Sequence, residues 1–152
     1  MAGFWTVGLT PPSVMSESPR PGDVFAYRYL WKREERAGEL EGRKLRPACV
    51  AVVAEDADGA TRLFIAPITT RSPRAGDAAL EISELEASRA GLDAGTRSWV
   101  IVSELNVDVW ERSYALEDRA PIGAFSPGFT RRILGALREI RAKRAIPLSR
   151  RT

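Results

Sequence analysis

Histidine is absent from this chain of 152 residues. Imidazole is the usual general base near neutral pH and the commonest side-chain ligand of metals, so its absence excludes serine triads, histidine-based nucleases and histidine-ligated metal centres. Cys49 is the only cysteine, which excludes an internal disulfide and a zinc site built on cysteine pairs. The sequence also lacks a Gly-rich phosphate loop, a dinucleotide-binding glycine motif and a calcium-binding loop. We therefore expect no metal and no cofactor.

Long apolar runs are missing as well. No run approaches the length of a membrane-spanning helix, and the first residues lack the basic and then apolar pattern of a secretory signal. The lone Cys49, between Ala48 and Val50, is expected to be a buried, inert thiol, which suits a reducing compartment. The sequence thus predicts a soluble cytoplasmic protein with no membrane partner.

The composition predicts one ordinary globular domain, because hydrophobic residues make up 44% of the chain and charged residues 28%. We expect a flexible tail at 1–20, a single domain at 21–144 and a basic tail at 145–152. The net charge is +3 and the isoelectric point about 9.4, which gives a modest positive field that favours a nucleic-acid partner.

The first predicted strand runs from Val24 to Trp31 and follows the turn signal Pro21-Gly22-Asp23. Its alternate positions carry aromatic side chains on one face, which either stack on unpaired bases or cover the core. The core is the favoured reading. The next stretch, Lys32 to Lys44, has almost nothing apolar to bury, and we expect a solvated loop. The aromatic residues concerned are Phe25, Tyr27, Tyr29 and Trp31.

Two buried strands form the most informative part of the chain. They cover about Pro47 to Ala54 and about Arg62 to Thr69, and the turn signal at 55–59 predicts an antiparallel hairpin. An arginine, Arg46, enters the first strand and the hydroxyl of Thr69 leaves the second. An arginine and a hydroxyl at strand ends of a basic protein suggest a phosphodiester partner, and we take this to be RNA.

Further short strands are predicted at 79–82, 98–102 and 107–110, and many short strands between turns indicate a compact barrel. Ser83 is expected to cap a helix over 84–90 and to form a capping box with Glu86. Ser126-Pro127 begins a C-terminal amphipathic helix whose outer face is cationic. That face contacts phosphates or, more simply, is solvated.

Three motifs in order resemble those of the PemK/MazF family, the toxins of type II toxin-antitoxin modules. They are Pro21-Gly22-Asp23-Val24, Arg46-Pro47-Ala48-Cys49-Val50 and Ala66-Pro67-Ile68-Thr69, and the likeness extends from about Arg20 to Arg141. The resemblance implies a mainly β fold, a small SH3-like β-barrel with flanking helices. It also implies a homodimeric, metal-independent endoribonuclease of single-stranded RNA, which inhibits growth and is neutralised by an antitoxin protein.

The same resemblance implies the residues of the site. The family's catalytic arginine falls on Arg46 and its catalytic hydroxyl on Thr69, with Thr70 as the neighbouring candidate. Cleavage by the RNA's own 2′-hydroxyl also needs a base, and Glu104 is the carboxylate we nominate. Further RNA contacts are expected from Arg43, Lys44, Thr70, Arg71 and Asn106.

The chain departs from the toxin pattern after the fifth strand, where Ser103-Glu104-Leu105-Asn106 stands in place of an acidic residue, a glutamine and then an arginine. This departure favours an alternative function, which is a non-catalytic module that binds RNA or a protein partner on the same barrel. Each of the three catalytic candidates also has a purely structural alternative. Arg46 bonds backbone carbonyls or pairs with a loop glutamate such as Glu41, Thr69 is ordinary sheet surface, and Glu104 is a solvated or salt-bridged carboxylate.

Overall fold

A computed structural model describes residues 18–38 and 44–151, and its main element is an eight-stranded sheet. The fold is mostly β, as the sequence predicts. The strands are β1 (Asp23–Tyr27), β2 (Arg46–Glu55), β3 (Thr61–Thr69), β4 (Ala79–Glu81), β5 (Trp99–Ile101), β6 (Leu105–Val109), β7 (Gly123–Ala124) and β8 (Leu148–Arg150). The helices are α1 (Lys32–Arg36), α2 (Glu84–Arg89) and α3 (Pro127–Lys143), and a 3-10 turn covers Trp110–Arg112.

The sheet forks at β3. This strand pairs with β2 on one edge, while its other edge pairs first with β6 and then with β5. Strands β4, β5, β3, β2, β1 and β7 are neighbours in that order, and β8 lies beyond β6 as the parallel partner in an otherwise antiparallel sheet. A register shift between Val50 and Val52 marks a bulge in β2, and bulges bend a strand and increase its twist. The sheet curls accordingly into a half-barrel.

Two hydrophobic clusters lie on opposite faces of this sheet, because side chains alternate along each strand. Cys49 belongs to the cluster under the helices, whereas its neighbours Ala48 and Val50 belong to the second cluster, inside the curl. Burial raises the pKa of the Cys49 thiol to about 12, in agreement with an inert buried thiol. Helix α3 closes the first cluster with Phe129, Ile133 and Leu137.

Several predicted elements are confirmed. The β2–β3 hairpin turns at Asp56–Gly59, where Gly59 N donates to Asp56 O at 2.9 Å. Ser126 caps α3 by accepting from Phe129 N at 3.2 Å, and Pro127 is the first helical residue. Within the described residues, no helix combines the length and apolar composition needed to cross a bilayer.

The capping box predicted for α2 is only half present. Ser83 accepts from Glu86 N at 3.2 Å, which confirms Ser83 as the N-cap. The Glu86 carboxylate instead accepts from Ser126 N at 2.9 Å and Ser126 Oγ at 2.6 Å. Glu86 therefore ties α2 to the start of α3, a tertiary contact that a local motif does not reveal.

The first strand is shorter than predicted. It ends at Tyr27, and the following residues leave the sheet. The four aromatic side chains that the sequence placed on its face are all buried in the second cluster, with Trp31 the most exposed at 8%. Stacking on RNA bases is therefore wrong for this face, and its role is to cover the core. The charged stretch that follows was predicted to be a loop, but its first residues form α1.

The predicted terminal tails are described only in part. Residues 1–17 and 39–43 lie outside the described residues, so the N-terminal segment is described from Ser18. At the other end, Leu148–Arg150 forms β8, and Ser149 is buried beside Asn106 in the parallel pairing with β6. The segment predicted to be a basic tail thus contributes a strand to the sheet.

Candidate functional site

Arg46 and Thr69 lie at neighbouring ends of two paired strands. Arg46 is the first residue of β2, and Thr69 is the last residue of β3. Ala48 pairs with Pro67, and this register continued by two residues places Arg46 opposite Thr69. Both side chains line one cavity of about 100 Å³. The structure therefore brings together the two residues that the family resemblance nominates.

This cavity is strongly cationic, and we call it the arginine cavity. Four guanidinium groups line it, against the single carboxylate of Asp77, while Trp31 and Ile101 add apolar surface. None of the four arginines forms an ion pair with another residue in 18–38 or 44–151. The planar guanidinium fork matches the geometry of a phosphate group, so several arginines around one cavity favour phosphate as a ligand. The four lining arginines are Arg33, Arg46, Arg71 and Arg74.

The Thr69 hydroxyl is oriented by the turn that follows β3. Its Oγ1 accepts a hydrogen bond from Arg71 N at 3.0 Å, which is typical of a turn closed by a threonine side chain. Because the oxygen serves as the acceptor, the hydroxyl proton remains available for donation. A phosphate oxygen in the arginine cavity is a suitable acceptor for that proton.

The loop after β3 is organised by Asp77. Its Oδ2 accepts from Arg74 N at 2.9 Å, and Asp77 N donates to Arg74 O at 3.0 Å. Gly76 lies between them with a φ of 92°, a left-handed conformation that favours glycine. This closed loop holds Arg74 and Asp77 on the cavity wall.

Arg33 reaches the cavity from α1. Its guanidinium lies 4.6 Å from the centre of the Trp31 ring, a cation–π contact. Arg33, Arg74 and Asp77 line the cavity although they were not predicted as site residues. The basic run Arg71-Ser72-Pro73-Arg74 directly after Thr69 was an available signal for Arg74, whereas no local pattern indicates Arg33.

Glu104 lies beside the arginine cavity but is not among its lining residues. Its Oε2 accepts from Lys32 N at 2.9 Å and from Tyr29 Oη at 3.1 Å. Burial raises the pKa of this carboxyl, whereas these hydrogen bonds and the charge of Arg33 oppose the rise. A raised pKa suits a general base, but the carboxylate is already occupied by two donors of its own chain. Glu104 is half-buried and bonded to Tyr29 and Lys32, so the alternative of a solvated carboxylate does not describe it either.

Asn106 is the only asparagine of the chain, which has no glutamine, and it is fully buried. Its Oδ1 accepts from Leu30 N at 2.8 Å, and its Nδ2 donates to Leu30 O at 2.7 Å. We correct the prediction that Asn106 contacts RNA, because the side chain has no exposed surface and both polar atoms are used.

The remaining predicted contacts lie around the cavity or outside the described residues. Arg71 lines the cavity, while Thr70 and Lys44 are exposed and do not line it. Arg43 and Glu41 fall within 39–43, so the expected contact of Arg43 and the pairing of Arg46 with Glu41 lie outside the described part. The cationic residues of α3 are exposed, as either reading of that helix requires.

No family model, curated protein or solved structure matches this chain significantly.

Proposed function

We propose that this protein is a PemK/MazF-like toxin, an endoribonuclease that cleaves single-stranded RNA without a metal ion. The proposal includes what the motif resemblance implies: an SH3-like barrel, a homodimer, inhibition of growth and neutralisation by an antitoxin protein. One observation carries it. Arg46 and Thr69, nominated by two separate motifs, line the same arginine cavity.

The reaction begins with attack of the RNA 2′-oxygen on the adjacent phosphorus. The bond from phosphorus to the 5′-oxygen breaks, which leaves a 2′,3′-cyclic phosphate and a free 5′-hydroxyl after proton transfer. Negative charge grows on the non-bridging oxygens in the transition state. A preorganised donor aimed at such charge contributes about 3 to 4 kcal/mol, and the fork of Arg46 is suited to this work. We assign Arg46 this electrostatic role and not proton donation.

Thr69 supplies a second hydrogen bond to the same phosphate, because its proton is available while Arg71 N occupies its oxygen. Arg33, Arg71 and Arg74 hold the flanking phosphates of the strand. Among the residues that the structure describes, Asp77 alone places a carboxylate on the cavity wall, so we take it in place of Glu104 as the candidate for the base.

The test compares Arg46→Ala with Arg138→Ala, since both remove one positive charge and Arg138 lies exposed on α3. Purified proteins are incubated with mixed single-stranded RNA in the presence of a chelator. We expect Arg46→Ala to lower the rate of cleavage about 100-fold or more and Arg138→Ala to cleave like the parent. Equal loss in both variants, or cleavage by Arg46→Ala at the parent rate, would remove Arg46 from the mechanism.

A non-catalytic module that binds RNA is the second candidate. The engagement of Glu104 and Asn106 in internal hydrogen bonds favours it, because within 18–38 and 44–151 it leaves Asp77 as the one acidic group that faces the cavity. This candidate predicts that the parent binds single-stranded RNA, that the RNA remains intact, and that induced expression does not arrest growth. It also predicts that binding weakens with rising salt, because phosphates are neutralised by arginines.

A further inference from the structure

We infer that Glu104 is a positioning residue, which holds Trp31 and Arg33 on one wall of the arginine cavity and thereby sets the affinity of the cavity for a phosphodiester strand. The inference rests on the proposed function of the cavity. It replaces the general-base role that the sequence suggested for Glu104.

The contacts of Glu104 fall on both sides of Trp31. Its Oε2 accepts from Tyr29 Oη at 3.1 Å and from Lys32 N at 2.9 Å. Lys32 is the first residue of α1, and the first N–H groups of a helix have no acceptor within the helix. Glu104 supplies that acceptor, so the carboxylate fixes the position at which the helix begins.

Asn106, which follows Glu104 by two residues and lies in β6, holds the same segment. Its amide bonds both Leu30 N and Leu30 O, at 2.8 and 2.7 Å. Four hydrogen bonds, two to Glu104 just before β6 and two to Asn106 within it, therefore anchor residues 29–32. We call Glu104 and Asn106 the bracket.

The segment held by the bracket carries part of the cavity wall. Trp31 and Arg33 both line the cavity, and the Arg33 guanidinium lies 4.6 Å from the Trp31 ring. The charges of two cavity residues act on Glu104. The positive charge of Arg33 stabilises the Glu104 carboxylate, while the negative charge of Asp77 destabilises it. A negative charge at Glu104 thus attracts Arg33 without lying in the path of the ligand.

Glu111 offers a matched control. Its carboxylate also accepts from one backbone N–H and one hydroxyl, both of Thr61, at 2.8 and 2.7 Å. Thr61 is at the opposite end of β3 from Thr69. Glu111→Gln therefore removes the same charge and perturbs the same kinds of hydrogen bond at a distance from the cavity.

The experiment measures binding of a single-stranded 2′-O-methyl RNA, which cannot be cleaved because its attacking hydroxyl is blocked. We expect Glu104→Gln to weaken binding about tenfold, the change that corresponds to one charge-assisted hydrogen bond. Glu111→Gln should bind like the parent. Exchange of the Lys32 amide with solvent should accelerate in Glu104→Gln, which reports release of the helix start independently of RNA. If Glu104→Gln does not fold, Tyr29→Phe removes one donor to the carboxylate and should weaken binding in the same direction.

Binding by Glu104→Gln at the parent affinity, or equal loss in the two glutamate variants, would overturn the inference. The outcome is separable from that of the nuclease proposal. A parent that binds the probe but leaves natural RNA intact contradicts the nuclease alone. A parent that does not bind the probe contradicts both.

Discussion

Replacement of Asn106 by alanine should destabilise the protein strongly. The side chain is fully buried and satisfies both backbone polar groups of Leu30. Alanine leaves a buried N–H and a buried C=O without partners, and each such group costs about 1 to 3 kcal/mol. We therefore expect the free energy of unfolding to fall by about 2 to 6 kcal/mol. For a chain of this length this corresponds to a melting temperature lower by roughly 5 to 20 °C.

Urea and thermal unfolding followed by circular dichroism measure this loss. Ser98→Ala is the control for the burial of a polar group in itself, because Ser98 is 4% exposed and its buried hydroxyl has no hydrogen-bond partner in the described part of the chain. Removal of that hydroxyl should leave stability unchanged or raise it by about 1 kcal/mol, since an unsatisfied buried group is itself a cost. A loss below about 1 kcal/mol in Asn106→Ala, or a loss as large in Ser98→Ala, would refute the reasoning about the bracket.

Three further predictions concern the site, its pH response and the sheet. Thr69→Val removes the hydroxyl donor and should slow RNA cleavage about tenfold or more, whereas Thr69→Ser should retain most activity in the same assay. Burial raises the pKa of Glu104 above its ordinary 4.5, so the folded state holds this proton more tightly than the unfolded state does. The stabilisation that the raised pKa provides is complete below pH 4.5 and is lost as the pH rises through the pKa of Glu104 in the folded state. Urea unfolding at several pH values should therefore show the parent losing stability relative to Glu104→Gln as the pH rises. Gly123→Ala should destabilise by about 1 to 3 kcal/mol in thermal unfolding, because its Cβ would lie 2.4 Å from the Ala90 carbonyl carbon.

A specific result would contradict each of these three predictions. Equal activity of Thr69→Val and the parent would show that the hydroxyl does not act on the phosphate. A stability difference between parent and Glu104→Gln that does not change with pH would show that the carboxyl titrates in the folded state as it does in the unfolded chain. Gly135 lies in helix α3, and a Cβ added there would meet no described atom within 4 Å beyond the neighbouring helix backbone. Gly135→Ala should therefore stabilise by about 0.5 to 1 kcal/mol, and a loss equal to that at Gly123 would contradict the steric account.

Local patterns were sufficient to predict the hairpin and the last helix. Strands β2 and β3 are apolar on both faces and are separated by turn residues, and α3 repeats apolar residues at helical spacing after a serine cap. Both patterns depend only on residues that are close together in the sequence, so they can be recognised from the sequence alone. The meeting of Arg46 and Thr69 followed from the resemblance and from antiparallel pairing of adjacent strands.

Local patterns did not predict the conformation of residues 29–32 or the presence of helix α1. The alternation of aromatics continued to Trp31, yet the strand ends at Tyr27, because Leu30 is held by Asn106 from 76 residues away. Helix α1 has almost no apolar residues, and its first N–H is satisfied by Glu104, 72 residues away. A hydrogen bond between distant segments leaves no period in the sequence, and a buried asparagine in a strand looks the same as one that faces solvent.

The concentration of guanidinium groups at one place has a practical consequence for anyone who handles this protein. Arg33, Arg46, Arg71 and Arg74 repel one another when only small monovalent counterions screen them. A multivalent anion that binds the folded form alone adds about 2.7 kcal/mol at a concentration 100 times its dissociation constant. If the arginine cavity binds such an anion, the melting temperature should be higher in sulfate or phosphate than in chloride at matched ionic strength. Under the proposed function phosphate would also compete with RNA, so chloride is the appropriate medium for the binding measurements.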